Sequence, residues 1–543
     1  MHEGSTAAVR HPPATTMTAV ISASPGTAAS RRSVVGGAMA LALLLVGVAC
    51  GGTNAPPGAT PTTTPRKPAH YVESSCVTTP QPVSLLAGAH CGELEVPVDR
   101  TRSDGPTLRL AVAIVPSETQ PPTAEPIVFL EGGPGLDGIA APPIAPGAGL
   151  GHNRDLILIG QRGTQTTSTP LLCPELDEFY ARRVGLVYDA PATGDLDIRA
   201  VTECRRRLAA TTDLAAYNTT ESARDLVDLR KALRLDRWSV FGHSYGTDLA
   251  LVYMNLDGPA ITAVALDGVT PPSAAGLGWT WPSARGAFDA VMRACEAQTA
   301  CAQRYPGLGA TFVRLVGELE RNPVTTTVDL PGHPGTTVVI DGGTLLAWFV
   351  GAAGRLTAGI PAAIDDLDHG NPQSIATQYA SGWMNTGPSN ATVATGLTLS
   401  IWCSEWVPFE TFDDQMRQAR TAFPDFPESV LAQAPQLPFL REECAVWNVP
   451  KAPDSVRDVT RGSIPTLVLT GGFDARTGPM WGDYVAEDLS RSTVVVVPGW
   501  GHGVFLNPCG AQVIASFFRD PNRPDTRCVA ATPLPEFTIL PPR

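Results

Sequence analysis

Short apolar runs, each followed by a polar turn, divide the chain into segments from about residue 90 onward. The runs have the length of buried strands, and stretches with helical periodicity separate several of them. Runs of this kind begin at Cys91, Leu108, Pro126, Asp155, Trp238, Ile261, Thr466 and Thr493. Because strands alternate with helices, the pattern predicts an α/β protein with a mostly parallel sheet and helices on both faces.

The pattern changes between residues 271 and 463, where helical stretches, scattered Trp residues and Pro or Gly breaks replace the strands. A buried strand resumes at Thr466. We therefore predict an inserted, mainly helical cap domain over residues 271–463. This insertion divides the core into an N-terminal part, residues 71–270, and a C-terminal part, residues 464–543.

The most specific motif is Gly242-His-Ser-Tyr-Gly246. The apolar run over residues 238–241 precedes it, and Thr247 opens a segment that is predicted to be helical. Strand, sharp turn and helix form the context in which Gly-x-Ser-x-Gly acts as a nucleophile elbow, with Ser244 as the nucleophile. The competing interpretation is a chance match in a chain with 52 Gly residues, and the flanking elements argue against it.

Two further strand ends supply the partners that a serine nucleophile needs. Asp474 follows the strand that begins at Thr466, and His502 follows the strand that begins at Thr493. His502 would take the proton of Ser244, and Asp474 would fix the tautomer of the imidazole. The order Ser, Asp, His along the chain is that of α/β-hydrolases.

Other residues compete for two of these roles. Asp267 also follows a predicted strand and is an alternative acid. His243 lies inside the motif, but its side chain is expected to point away from that of Ser244. Asp474 is preferred because it lies in a Gly-Gly-x-Asp turn one strand–helix–strand unit before His502.

A loop almost without side chains, Glu131-Gly-Gly-Pro-Gly135, follows the strand that begins at Pro126. Such a loop can approach the nucleophile closely and donate backbone N–H groups to an oxyanion. We expect the N–H groups of Tyr245 and Gly133 to bind the oxyanion. Phosphate binding is the alternative for a Gly-rich loop, but the sequence lacks the Lys-Ser/Thr of a P-loop and the GxGxxG spacing here.

Residues 1–50 are predicted to be a targeting segment. The pair Arg31-Arg32 precedes an apolar run over residues 34–49, as in a secretory signal, and resembles a twin-arginine signal. Gly-Val-Ala-Cys50 is similar to a bacterial lipobox, so we expect export and lipidation of Cys50, followed by a flexible Thr/Pro-rich linker over residues 51–70. A single membrane anchor is the alternative, although the apolar run is short for a span.

The composition reduces the number of possible functions further. The net charge of −13 argues against a nucleic-acid-binding surface, which needs basic patches. Eleven Cys are present, and ten remain if Cys50 is lipidated. In an exported chain an even number favours disulfides, and no CxxC or Cys/His cluster favours a metal. The spacing suggests that neighbours pair, as Cys76–Cys91, Cys173–Cys204, Cys295–Cys301, Cys403–Cys444 and Cys509–Cys528.

Several segments together resemble the proline iminopeptidase and tripeptidyl aminopeptidase branch of the α/β-hydrolases. The similar segments are Leu130-Glu-Gly-Gly-Pro-Gly135, Gln161-Arg-Gly-Thr164, Gly242-His-Ser-Tyr-Gly246, Phe473-Asp-Ala-Arg-Thr-Gly-Pro479, Gly501-His-Gly503 and the terminal Cys509…Pro521…Cys528 pattern. The resemblance covers most of the body of the chain. It implies an α/β-hydrolase fold with an inserted cap and the hydrolysis of peptides at free N-termini.

Three positions depart from the pattern of this branch. Gly160 stands where the branch usually has Asp, and Gln165 stands where it has Gly. The loop after Gly135 has Leu-Asp-Gly in place of the more usual Gly-Ser-Gly. We expect these departures to alter the support of the oxyanion loop without removing the triad.

An enzyme that acts at a free N-terminus must bind an α-ammonium, and a partly desolvated cation needs a paired carboxylate. Glu405 is the first candidate, because Trp402-Cys-Ser-Glu-Trp406 resembles a cap segment of this branch with an acidic residue two positions after a Cys. A solvated surface position is the alternative for Glu405. Glu131, beside the oxyanion loop, is the second candidate, with a packing role at the strand end as its alternative.

These inferences predict a serine hydrolase that works through an acyl-enzyme, as an exported aminopeptidase releasing residues or short peptides from free N-termini. A carboxylesterase or lipase-like enzyme would use the same triad. A non-catalytic binding lipoprotein is a third alternative, which the intact triad disfavours. The expected substrate is a peptide or a small ester, and a membrane is contacted only through the N-terminal lipid. No metal, organic cofactor or nucleic acid is expected.

Overall fold

The computed structural model describes residues 69–102, 104–144, 148–384 and 393–542. The expected signal segment with Cys50, and nearly all of the expected linker over residues 51–70, lie outside these ranges. Within them, no helix is both long enough and apolar enough to cross a membrane.

A nine-stranded sheet forms the centre of the described structure, and a two-stranded hairpin lies apart from it. The strands are β1 (His70–Glu73), β2 (His90–Pro97), β3 (Thr107–Val115), β4 (Ile127–Leu130), β5 (Leu156–Ile159), β6 (Trp238–His243), β7 (Ile261–Asp267), β8 (Val324–Leu330), β9 (His333–Ile340), β10 (Thr466–Gly471) and β11 (Ser492–Val497). The order across the main sheet is β1-β2-β3-β5-β4-β6-β7-β10-β11. The pairs β1–β2, β2–β3 and β3–β5 are antiparallel, and all neighbours from β5 to β11 are parallel. The sheet is therefore mostly parallel, as predicted.

Helices connect most of these strands. In the described ranges they are α1 (Pro174–Arg183), α2 (Pro191–Ala209), α3 (Thr219–Ala232), α4 (Tyr245–Asp257), α5 (Thr280–Ala297), α6 (Thr299–Arg304), α7 (Leu308–Arg321), α8 (Gly342–Ala352), α9 (Ile360–Asp368), α10 (Gln373–Met384), α11 (Thr395–Ile401), α12 (Phe412–Ala422), α13 (Glu428–Ala432), α14 (Leu440–Trp447), α15 (Pro479–Ala486), α16 (Pro508–Arg519) and α17 (Arg527–Ala531). The side chain of Asn218 caps α3 by accepting a hydrogen bond from the N–H of Glu221.

The two faces of the sheet have separate apolar clusters. On one face, Val128 and Val240 pack with residues of α3 and α4. On the other face, Phe129 and Phe241 pack with residues of α16, and their rings meet edge to face with centroids 5.5 Å apart. Because both faces are covered, every residue of β4 and β6 is buried, which explains why these strands appear in the sequence as continuous apolar runs. This architecture is the α/β-hydrolase fold.

The described residues between β7 and β10 contribute no strand to the main sheet. It contains α5–α14 and the β8–β9 hairpin, in the interval where a mainly helical cap is predicted. Ring contacts at its centre involve Phe288, Phe312, Phe349 and Phe423. The hairpin was not predicted, although the β-branched run Val-Thr-Thr-Thr-Val over residues 324–328 is typical of a strand. The short edge strand β1 was missed as well.

Five disulfides join the ten cysteines of the described ranges, and each joins neighbours in sequence. They are Cys76–Cys91, Cys173–Cys204, Cys295–Cys301, Cys403–Cys444 and Cys509–Cys528, the pairs that the spacing suggests. The bond between Cys403 and Cys444 connects a π-helical turn, Trp402–Trp406, which continues α11, to α14. It therefore fixes two elements of the insertion to each other.

Loop length sets the expected contribution of each disulfide to stability. Cys403 and Cys444 are separated by 41 residues, so loss of their bond should lower the free energy of unfolding by about 4 kcal/mol in a chain-entropy treatment. Cys295 and Cys301 are only 6 residues apart, and the corresponding loss is about 2 kcal/mol. We expect Cys403→Ser/Cys444→Ser to lower the urea midpoint more than Cys295→Ser/Cys301→Ser does. Equal shifts would contradict the loop-length account.

Candidate active site

Ser244 lies in a tight turn between β6 and α4, with backbone φ 55° and ψ −125°. A positive φ is strained for a residue with a side chain, and the nucleophile elbow uses this conformation to expose the hydroxyl. A Cβ at Gly242 would lie 2.4 Å from the carbonyl O of Gly246, and one at Gly246 would lie 2.1 Å from the carbonyl O of Leu130. Only Gly fits at either position, and the turn has the geometry of a nucleophile elbow.

The loops after β10 and β11 place Asp474 beside His502. The Nδ1 of His502 lies 2.9 Å from Oδ2 of Asp474. The backbone N–H groups of Arg476 and Thr477 donate to Oδ1 of Asp474, and the Thr477 hydroxyl donates to Oδ2. This arrangement holds Nδ1 as the protonated nitrogen and leaves Nε2 to act as the base. His502 and Ser244 line one cavity.

The same contacts determine the charge of the acid. Burial alone would raise the pKa of Asp474, but the charge of His502 and the hydrogen bonds from His502 and Thr477 lower that pKa well below the ordinary carboxyl value. Asp474 therefore stays ionised across the physiological range. An ionised carboxylate at this position stabilises the imidazolium that forms when the base accepts a proton.

Asp267, the alternative acid, has other partners. It is fully buried at the end of β7, and burial raises its pKa. Its Oδ1 accepts the N–H of Val504 at 3.0 Å, and its Oδ2 accepts the N–H of Phe505 at 2.7 Å. Asp267 thus anchors the backbone that follows His502, and the geometry gives the role of the acid to Asp474.

The Gly-rich loop after β4 touches the elbow directly. A Cβ at Gly132 would lie 2.6 Å from Cβ of Ser244. The N–H of Gly132 donates to Oε1 of Glu131, whereas the N–H of Gly133 has no acceptor within the described structure. Tyr245 is the first residue of α4, so its N–H has no intrahelical acceptor either. These two amides, the pair expected from the sequence, are available to an oxyanion.

Glu131, the second candidate for substrate contact, lies behind this loop instead. It is buried, it is not among the residues that line the cavity, and its Oε1 lies 2.9 Å from Nδ1 of His243. Burial by itself lowers the pKa of His243, but the charge and hydrogen bond of Glu131, together with the charges of Asp267 and Asp474, outweigh burial and raise this pKa. The His243 and His502 rings have centroids 5.0 Å apart. Glu131 therefore contacts both the oxyanion loop, through Gly132, and the elbow, through His243.

Two departures from the branch pattern compensate each other. Asp137, in the Leu-Asp-Gly stretch, is fully buried, and its Oδ2 accepts hydrogen bonds from the hydroxyls of Thr164 and Thr166. Its Oδ1 accepts the N–H groups of the two residues that begin at Ile139. A Cβ at Gly160 would lie 2.2 Å from Oγ1 of Thr166 and 3.4 Å from Oδ2 of Asp137. The carboxylate that the branch has at position 160 is thus supplied from the oxyanion loop itself.

Arg162 secures the segment after β5 from the other side. Its side chain is fully buried, and it donates to both carboxylate oxygens of Asp225, each at 2.7 Å. It also donates to the carbonyl O of Ala216 at 2.6 Å. Because Asp225 belongs to α3, this paired arginine holds the segment against the helical layer. The motif pointed to Arg162, but its partner was not predictable from sequence.

A cavity of about 390 Å³ lies over the triad. Its walls include Gly133, Ser244 and His502 from the core and several indole rings, Trp279, Trp383, Trp402 and Trp406, from the insertion. The site is therefore roofed largely by aromatic surface, as small-molecule sites commonly are. In the described residues, no group of three or more His, Cys, Asp or Glu side chains could hold a metal ion.

Glu405, the first candidate for ammonium binding, does not line this cavity. Its Oε1 accepts the N–H of Thr219 at 2.7 Å, and its Oε2 accepts the hydroxyl of the same residue. Burial raises the pKa of Glu405 to about 7, and the hydrogen bonds from Thr219 oppose that rise. Its neighbours Trp402 and Trp406 face the cavity, while Glu405 caps the start of α3. The substrate contact expected for Glu405 is therefore not the arrangement observed.

Two carboxyl groups that the sequence did not reveal line the cavity instead. Asp197 of α2 and Glu443 of α14 are hydrogen-bonded to each other. Burial raises the pKa of both, and the charge of Asp197 raises that of Glu443 further. The guanidinium of Arg183 lies nearby, 4.4 Å from the ring centroid of Trp383. No motif contains this pair, because its members lie on separate helices far apart in sequence.

Fold and site together define a serine hydrolase of the α/β-hydrolase class. Residues 434–529 match the family described as TAP-like protein. The serine protease Hip1 of Mycobacterium tuberculosis is 26% identical over 463 residues, which cover 78% of this chain and 83% of Hip1. A tripeptidyl aminopeptidase of Streptomyces lividans is 24% identical over 471 residues, covering 82% of this chain and 83% of that enzyme. The chain is thus similar over most of its length to proteins named serine protease and tripeptidyl aminopeptidase.

Two solved structures are also similar. One is a proline iminopeptidase of Mycobacterium smegmatis, at 16% identity and a TM-score of 0.33, which covers 79% of this chain and 98% of that one. The other is an esterase of Thermogutta terrifontis, at 14% identity and a TM-score of 0.32, which covers 79% of this chain and 99% of that one.

The triad leads to a first prediction for the site. Ser244→Ala should abolish labelling by a fluorophosphonate, and Asp474→Asn should lower kcat by about 10⁴-fold because the imidazole loses its fixed tautomer. Asp267→Asn should lower the melting temperature, since an amide cannot accept both N–H groups, with a much smaller loss of kcat. Fluorophosphonate labelling, steady-state turnover of a substrate and thermal unfolding measure these effects. A loss in Asp267→Asn as large as that in Asp474→Asn would contradict the assignment.

The buried Glu405 gives a pH dependence of stability. Its pKa is about 7 in the folded state, against 4.5 for an ordinary Glu, so the folded state binds the extra proton between these values. The contribution of Glu405 is present below about pH 4.5 and is lost as pH rises through 7, on the order of 3 kcal/mol in total. We expect urea unfolding of Glu405→Gln to show a flatter pH dependence than the parent. Identical slopes would refute the buried, protonated state.

Proposed function

We propose that this serine hydrolase is an exported aminopeptidase that releases single residues or short peptides from free N-termini. The observation that carries the proposal is the Asp197–Glu443 carboxyl pair in the wall of the cavity that contains Ser244 and His502. The relative from Streptomyces lividans carries the name tripeptidyl aminopeptidase, which is consistent with it.

The carboxyl pair is suited to an ammonium group for electrostatic reasons. Two buried carboxyl groups in hydrogen-bonding contact share one proton, because two adjacent negative charges are unfavourable. An α-ammonium would stabilise the state in which both groups are ionised, and its N–H groups would donate charge-assisted hydrogen bonds to them. An N-acetylated terminus offers no such charge. The pair should therefore select free amines over blocked ones.

The reaction itself follows from the triad. His502 takes the proton of the Ser244 hydroxyl while Oγ bonds to the scissile carbonyl carbon, and the N–H groups of Gly133 and Tyr245 bind the oxyanion. The C–N bond then breaks, and His502 gives its proton to the leaving amine. Water attacks the acyl-enzyme, His502 accepts a proton from that water, and Ser244 regains the proton as the acid product leaves.

A carboxylesterase would use the same steps, so the triad does not distinguish the two activities. An uncharged ester has no group that needs a carboxyl pair, and Arg183 supplies only one positive charge beside the two carboxyl groups. Asp197 and Glu443 therefore favour a substrate with a free amine over a neutral ester.

Export is part of the proposal. The ten cysteines of the described ranges all form disulfides, which persist in oxidising compartments. The proposed signal segment precedes Cys50, and a lipid on Cys50 would tether the enzyme to the outer side of a membrane.

The decisive test compares blocked and free substrates. A tripeptidyl or aminoacyl arylamide should be cleaved, and its N-acetylated form should not be. Glu443→Gln should raise KM for the free arylamide by about 30-fold, which corresponds to on the order of 2 kcal/mol of lost binding. Steady-state kinetics measure both effects.

Glu203 of α2, an exposed glutamate that does not line the cavity, provides the control, and Glu203→Gln should leave KM unchanged. Equal turnover of blocked and free arylamides would exclude the aminopeptidase. Rapid cleavage of short acyl esters, without turnover of any amide, would establish the esterase instead.

A further inference from the structure

The cavity is lined by cations as well as by carboxyl groups. Arg355 follows α8 in the insertion, and Arg476 follows Asp474 in the acid loop. In the described parts of the chain, neither guanidinium has a hydrogen-bond acceptor or lies within ion-pair distance of a carboxylate. Arg183, a third arginine of the cavity wall, has its guanidinium 4.4 Å from the ring centroid of Trp383.

Both arginines flank the loop that bears the catalytic base. The backbone N–H of Arg476 donates to Asp474, which holds His502. Arg355 is preceded by Gly354, where a Cβ would lie 2.0 Å from Cα of Gly501, the residue before His502. The insertion and the core therefore bring the two guanidinium groups to the His502 side of the cavity.

The two charged clusters of the cavity are separate. Arg355 and Asp474 are the charges that act on Arg476, and burial together with repulsion by Arg355 lowers the pKa of Arg476. Glu443, Arg183 and Glu442 are the charges that act on Asp197. The carboxyl pair thus has Arg183 as its neighbouring cation, whereas the carboxylate that acts on Arg476 is Asp474, which already binds His502.

The chemistry assigns these clusters to different parts of a peptide. His502 delivers its proton to the leaving amine, so the residues after the scissile bond must lie beside the loop of His502. Two neighbouring guanidinium groups repel each other, and a carboxylate removes that repulsion through bidentate hydrogen bonds. We propose that Arg355 and Arg476 form a binding site for a carboxylate of the leaving peptide.

This inference rests on the proposed aminopeptidase activity and adds a requirement on the other side of the scissile bond. The carboxylate is either the C-terminus of a short peptide or the side chain of an Asp or Glu shortly after the scissile bond. The cavity then matches a short peptide at both ends, with its ammonium at Asp197 and Glu443 and its carboxylate at Arg355 and Arg476.

Two sets of peptides distinguish the sources of the carboxylate. The first is a ladder of short alanine peptides, each as the free acid and as the C-terminal amide. The second is an amidated alanine peptide with Glu or Gln placed at each position in turn, with mass spectrometry to locate the cleaved bond. We expect kcat/KM to be about tenfold higher for the acid in at least one set, and this preference should shrink at high salt.

The variants test whether the two arginines cause this preference. In Arg355→Gln and in Arg355→Gln/Arg476→Gln, the acid-to-amide ratio of kcat/KM should fall towards one, mainly through KM. The ratio within each variant is independent of any general loss of activity caused by the proximity of Arg476 to the triad. Arg321→Gln, an exposed arginine of the insertion that does not line the cavity, should keep the parental ratio.

The outcomes separate this inference from the proposed function. If the parent cleaves a free arylamide but shows no acid preference in either set, or if the preference persists in the double variant, the carboxylate site is wrong and the aminopeptidase stands. If the parent cleaves no free arylamide or peptide, the aminopeptidase itself is wrong.

Discussion

The close approach of Gly132 to Ser244 is the contact on which the rest of the active site depends. It brings the oxyanion loop against the elbow with no side chain between them, so backbone N–H groups can reach the reacting carbonyl. A loop this rich in Gly has little rigidity of its own and must be held from behind. Glu131 and Asp137 do so, because the first binds Gly132 and His243 and the second ties the loop to Thr164 and Thr166.

The strand ends were the part of the site that local patterns could predict. Ser244, Asp474 and His502 each follow a strand of the parallel part of the sheet, and the carboxyl ends of such strands meet along one edge. A motif at each end was therefore enough to bring the three residues together, whereas the pairing of β10 with β7 was not readable from sequence. The departure at Gly160 was visible, but the compensation by Asp137 depends on a contact between two loops.

The carboxyl groups in the cavity wall could not be predicted, for a physical reason. Asp197 and Glu443 meet only when α2 and α14 pack together, and neither residue belongs to a local pattern. Glu405 is the opposite case. The sequence identified its segment as a candidate part of the site, but the direction in which the Glu405 side chain points was not predictable. In the π-helical turn Trp402–Trp406 the two indoles share the cavity face, and the glutamate between them turns toward α3. The positions of these charged side chains are thus set by tertiary packing.

The disulfide between Cys403 and Cys444 has a consequence beyond stability. Cys403 follows Trp402, Cys444 follows Glu443, and both of those neighbours line the cavity. The bond joins the aromatic wall covalently to the carboxyl pair. The triad is held by the sheet and does not depend on this disulfide. In a reducing compartment the disulfide would be absent and the two walls could drift apart around an intact Ser–His–Asp set. Under the proposed function, selectivity would then depend on oxidation of these two cysteines, whereas the catalytic residues would not.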